Sequence, residues 1–151
     1  MFSIGKTLKN YWLRQGVKLH HGASDSELTA FEAKYSVRLP QDMREYFATV
    51  NGFDSSEYWM TDNHVITFLS LDEMKSLSEA WSPEVDNDAA SYYVFADYSL
   101  NAHVYAIRLS SNSQQDNPVV VAYEDYLVKV ANSFSGFVQK YLEKDDAVLA
   151  P

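Results

Sequence analysis

Two aspartate–histidine pairs are the residues of this chain best suited to chemistry: Asp62 with His64, and Asp97 with His103. A carboxylate beside an imidazole can orient the ring and let it act as a general base. Neither pair brings the third cooperating group that such machinery needs, and turns attract Asp for backbone reasons alone. No serine sits in a G-x-S-x-G elbow, and the five glycines are too dispersed to cradle a phosphate. His20-His21 are neighbours whose side chains point apart in regular structure, and no spaced ligand completes a metal site. The acid-rich run Glu84–Asp88 lacks the glycine and the closing acid of a calcium loop. The expectation is therefore a non-catalytic chain without metal or cofactor.

Aromatic residues set among acids form the stronger pattern. Tyr58, Trp59, Trp81 and Tyr98 lie among Asp54, Glu57, Glu84, Asp86 and Asp88. Rings of this kind anchor protein contacts, while the carboxylates steer the encounter with a basic partner. Taken singly, each ring is better expected in a sheet core; only the set suggests a surface. The net charge is −9, yet residues 1–22 hold Lys6, Lys9, Arg14 and Lys18 with no acid. From Asp54 to Asp97 ten acids face the single base Lys75. Such a surface repels nucleic acid and anionic lipid, so neither is expected as a partner.

The elements that must position these residues are legible in the spacing. Ser24 and Glu27 stand at capping-box distance, and Leu28, Phe31 and Tyr35 then share one helical face. Pro40 ends that helix and suits the first turn of another. Met43, Tyr46, Phe47 and Val50 give the second helix its apolar stripe, and Asn51-Gly52 is expected to stop it. Ahead of this pair, residues 3–15 read as a helix whose Ile4, Leu8, Tyr11 and Trp12 dock on the domain. Tyr58–Met60 and Val65–Leu69 read as strands, and Leu71–Ala80 as a short helix capped by Ser70 and Glu73. Tyr92–Ala96 and His103–Leu109 should form a hairpin. In its second strand His103, Tyr105, Ile107 and Leu109 face one way, Val104, Ala106 and Arg108 the other. Val119–Tyr123 and Tyr126–Val130 add strands, Phe134–Lys144 a closing helix, and the chain from Asp145 a frayed tail.

An acid-rich helix, Leu39-Pro40, and an aromatic-bearing helix ending in Asn51-Gly52 resemble the SUKH superfamily (Smi/Knr-like proteins). The resemblance continues in order through Ile66–Glu73, Phe95-Ala96-Asp97-Tyr98 and Ser133-Phe134-Ser135-Gly136-Phe137. It implies an α+β fold in which helices cover one side of a mainly antiparallel sheet, as the element order also suggests. The organisation expected is a basic N-terminal segment over 1–23, a SUKH-like domain over 24–144 and a tail over 145–151.

The resemblance also implies a role in binding protein. Its bacterial members are immunity proteins that neutralise a cognate toxin, and its fungal members regulate cell-wall synthesis. The first reading is thus an immunity protein whose acidic, aromatic face occludes a basic toxin domain, such as a nuclease. A regulatory scaffold in envelope synthesis is the alternative, and an Asp/His-dependent hydrolase the third reading. With no cysteine, no apolar stretch of the ~20 residues a bilayer requires and no secretory leader, a cytoplasmic location is expected.

Overall fold

The structure, a computed structural model, describes residues 3–80, 88–100, 102–112, 116–124 and 126–149. Helix α1 (Ile4–Arg14) is capped by Ser3 and buries Leu8 and Trp12 completely. Helix α2 (Asp25–Tyr35) begins with the capping box: Ser24 accepts from the Glu27 amide and Glu27 from the Ser24 amide. It ends at Ser36 in the left-handed conformation, and the Glu32 carboxylate then accepts from the Leu39 amide at 2.8 Å. Helix α3 (Gln41–Thr49) follows Pro40 and buries Met43, Tyr46 and Phe47. Its carboxylates support two neighbouring helices. Glu45 accepts from the Gly5 amide of α1, and Asp42 accepts from the Ser135 amide of α5 (Phe134–Leu142). Negative charge at a helix N-terminus opposes the dipole there favourably.

Asn51-Gly52 does not stop α3. The chain passes at Val50 straight into strand β2 (Val50–Phe53), which pairs antiparallel with β1 (Leu19–His21). Gly52 does take a positive φ of 73°, for a different reason than helix closure: a Cβ there would lie 2.5 Å from the Leu69 carbonyl. The Asn51 side chain turns inward and accepts from the Leu71 amide at 2.7 Å. The expected helix 71–80 is split. It becomes a 3-10 turn at Leu71–Glu73, a short strand β4 (Lys75–Ser76) and one turn of helix α4 (Leu77–Ala80).

The main sheet is antiparallel. Strand β5 (Tyr92–Tyr98) pairs on one edge with both β3 (Ile66–Phe68) and β4, and on the other with β6 (His103–Arg108). Strands β7 (Val119–Ala122) and β8 (Leu127–Ala131) complete it. Expected strand Tyr58–Met60 is a loop instead. Alternation sends Tyr105 and Ile107 into the core beneath α1, α3 and α5, while Val104 and Ala106 join a second cluster on the reverse face. A bulge in β5 between Val94 and Ala96 places both Phe95 and Ala96 in the helix-covered core. Asp97, paired with Val104, therefore faces the reverse side.

The segment from Asp145 is no frayed tail. It forms α6 (Asp146–Leu149), whose Val148 is fully buried and whose Val148 carbonyl accepts from the Tyr105 hydroxyl at 2.6 Å.

Candidate functional site

A groove running from the small β1–β2 sheet to the reverse side of the main sheet gathers the acids around Trp59. It consists of two adjoining cavities of about 620 and 520 Å3 that share Trp59, Asp72 and Glu73. The first is bordered further by His20, His21, Glu27, Asn51 and Asp54, the second by Leu69, Lys75, Glu79, Asp97 and Val104. Six carboxylates thus face one ammonium group. The floor of the second cavity is the reverse face of β5 and β6.

Local hydrogen bonds fix each part. The loop after β2 starts where the Asp54 amide donates to the Lys18 carbonyl at 2.8 Å. It is folded on itself by the Ser56 amide on Asp54 Oδ1 (3.0 Å) and the Met60 amide on Ser55 Oγ (3.0 Å). The Met60 carbonyl accepts from Thr67 Oγ1 at 2.7 Å, tying the loop to β3. Trp59 lies just before that tie and stays 42% exposed. Asp72 and Glu73 project from the 3-10 turn, where Glu73 accepts from the Ser70 amide at 2.8 Å and completes a second capping box.

Charges in the groove are of two kinds. Lys18 pairs with Glu57 at 3.2 Å and with Asp54 at 3.9 Å, so these two acids already face a cation. The hydrogen bond from Lys18 to Glu57 holds the lysine above its ordinary value. Hydrogen bonds from Ser56 hold the Asp54 carboxyl below the usual carboxylate range, and Ser24 does the same for Glu27. Among the described residues Asp72, Glu73 and Glu79 make no ion pair. Their field is left to act outward.

The expected contact residues fall in several places. Asp54 and Trp59 line the groove. Glu57 and Tyr58 are exposed on the same loop, Tyr58 to 61%. Asp88 is exposed before the 3-10 turn Ala89–Ser91, and its carbonyl accepts from the Ser91 amide. Tyr98 points to the helix-covered side, stacked on His103 at 4.6 Å with an interplanar angle of 7°. Trp81, Glu84 and Asp86, and with them the acid-rich run 84–88 apart from Asp88, lie outside the described residues. Glu27, Asp72, Glu73, Glu79 and Asp97 belong to the groove without having been singled out for it. Glu27 and Glu73 were legible only as helix caps, although a capping carboxylate engages one oxygen and leaves the other free to face solvent. His20 and His21, both exposed, belong to β1 at the groove's border.

Neither Asp–His pair is assembled for acid–base work. Asp62 Oδ1 accepts from the backbone amide of His64, at 2.8 Å. Asp97 and His103 occupy opposite faces of the sheet. His103 is buried among Tyr98, Tyr105 and Tyr123, and burial pushes its imidazole below the ordinary value. Among the described residues no group of three or more His, Asp or Glu could hold a metal ion. No helix among them is long and apolar enough to cross a membrane.

Comparison with known proteins gives one family. The sequence profile of the SMI1/KNR4 family (SUKH-1) matches residues 22–140. No curated protein matches the chain.

Proposed function

Since this chain belongs to the SMI1/KNR4 family (SUKH-1), we propose that it works by binding another protein, as an immunity protein that occludes a basic toxin domain in the cytoplasm. The observation that carries the reading is the groove: Trp59 stands between two cavities that six carboxylates and one lysine line. Long-range attraction draws a cationic surface to such a place. An exposed indole flanked by acids then offers both apolar area and a ring face for an arginine or lysine. Asp54, Glu57, Tyr58 and Asp88, with Trp81, Glu84 and Asp86, make up the wider contact set of this proposal; Tyr98, on the opposite face of the sheet, is not part of it. A standard interface of about 800 Å2 per partner exceeds the groove itself, so neighbouring surface takes part. Inhibition is by occlusion, and no group of the chain need take part in chemistry.

The test is capture of a basic toxin domain encoded beside this chain, at low and at high salt. Wild-type protein should retain it at low salt and release it as salt rises. Asp72→Lys combined with Glu73→Lys should weaken capture at least tenfold, by like-charge repulsion at the groove. Capture indifferent to salt and to the charge reversal would remove the groove from the interaction. Retention of an envelope-synthesis protein under those conditions would favour the scaffold role.

A further inference from the structure

Asp62 is a buried carboxylate with no cation against it among the described residues. Three hydrogen-bond donors hold it. The amides of His64 and Ile66 reach Oδ1 at 2.8 and 2.9 Å, and the Tyr141 hydroxyl donates to Oδ2. Tyr141 in turn accepts from Trp12 Nε1 at 2.8 Å. The direction is imposed from the outer end. An indole N–H can only donate, so the phenol oxygen accepts and passes its own hydrogen onward, and only an acceptor can finish the chain.

We propose that this Trp12–Tyr141–Asp62 chain is the positioning device of the Trp59 loop, so that α1 and the end of α5 set the pose of the groove. Asp62 spends its other oxygen closing the turn 62–66, in which its own amide donates to the Ile66 carbonyl at 2.9 Å. That turn forces Val65 to a φ of 64°. A β-branched residue stays there only when its surroundings over-determine it. Gln15, just past α1, accepts from the Asn63 amide at 2.8 Å and gives a second tie to the same turn. From the turn the chain runs back through Met60, held on β3, to Trp59. Trp12 falls outside the family-matched stretch 22–140, and Tyr141 stands at the end of the helix that closes that stretch. The N-terminal helix thus reaches, through Tyr141 and one carboxylate, the loop that carries the exposed ring.

The consequence for partner binding rests on the groove being the contact surface, but the device itself can be tested on the free, full-length protein. Labelling with 5-fluorotryptophan gives 19F signals for the three tryptophans, and Trp59→Phe assigns the one in question. Tyr141→Phe removes the middle link. Asp62→Asn is nearly isosteric, yet with its NH2 towards Tyr141 the phenol hydrogen loses its acceptor, and with the amide turned over the amides of His64 and Ile66 both lose theirs. In both variants the Trp59 signal should shift or broaden. Amide exchange over 58–66 should quicken roughly tenfold more than that of β6 and β7. Exchange that rises everywhere in step, with the Trp59 signal unmoved, would reduce the chain to a core stabiliser and overturn the proposal. Should Asp62→Asn not fold, Tyr141→Phe and Trp12→Phe, which keep the carboxylate, decide the same question. Failure to find a basic partner would leave these measurements unaffected.

Discussion

The two faces of the main sheet are built from the same strands and filled in different ways. Under the helices, Phe68, Phe95, Tyr105, Phe137 and Tyr141 interlock with Trp12, each fully or almost fully buried. On the reverse, Val94, Val104, Ala106, Val120 and Ala122 are small, and Asp97 sits among the same strands. Large rings fill the space between sheet and helices to close-packed density. Short side chains leave room beneath Trp59 for a cavity. The large rings are concentrated on one face and the groove opens on the other.

Phe68→Ala should have the largest effect. Its ring touches those of Trp12 at 4.7 Å, Tyr141 at 5.1 Å and Phe53 at 5.8 Å. Loss of so central a ring costs about 3–5 kcal/mol, read by urea denaturation. Val104→Ala, on the reverse face, removes two methyl groups worth about 0.8 kcal/mol each and enlarges the cavity it floors. The expected cost is therefore about 1–2 kcal/mol. Equal costs at the two positions would abolish the distinction between the faces.

Acid should separate the faces by pH. Burial lowers the imidazole of His103, so in the window below about 6.5 the unfolded chain binds the extra proton. Stability from His103 is therefore complete above that value and falls away as pH drops towards the folded-state value. The facing groups, Tyr98, Tyr105 and Tyr123, offer no counter-charge in this range. The hydrogen-bonded Asp54 and Glu27 beside the groove follow the carboxylate sign. Their contribution holds above about pH 4 and is lost only as pH falls further, through their lowered values. His103→Phe should flatten the fall in melting temperature between pH 7 and 5 and leave the steeper loss below pH 4. An unchanged slope between 7 and 5 would show that His103 does not titrate within the packed face.

Much of the packed face could be read in the sequence because its signals are local. The Ser24–Glu27 box, the Met43–Phe47 stripe and the alternation of His103–Leu109 each depend on residues within a turn or two. The groove was harder to read because its determinants are remote. Asp97 faces it only because β5 carries a bulge at Phe95, and nothing local in Phe95-Ala96-Asp97 marks that extra residue. Asp72 and Glu73 reach it from a turn whose first amide, that of Leu71, is held by Asn51, twenty positions earlier. Val148 looked like tail because its partner, the Tyr105 hydroxyl, comes from the middle of the sheet. Asp54 and Trp59 were legible in the pattern of rings among acids, while the spacings Ser24–Glu27 and Ser70–Glu73 marked caps, though not that the caps face a cavity.

The smallest effect expected is also the sharpest test of how dry the packed face is. Tyr46 is 1% exposed, and its hydroxyl makes no hydrogen bond among the described residues. Burial pushes its phenol far above the ordinary range. The ring itself is well placed, 4.8 Å from Phe47 and 5.1 Å from Phe134. An unsatisfied buried hydroxyl costs about 1–3 kcal/mol, against which its removal leaves only a small void. Tyr46→Phe should thus be neutral or stabilising by about 1 kcal/mol. Tyr141→Phe removes the same atom from a hydroxyl that both accepts and donates, and should destabilise by about 1–3 kcal/mol. Opposite signs for one chemical change within one core would locate the packed face's polar order in the Trp12–Tyr141–Asp62 chain. Equal losses would mean that Tyr46 also has a partner, a water molecule for instance, and that the face beneath the helices is wetter than its rings suggest.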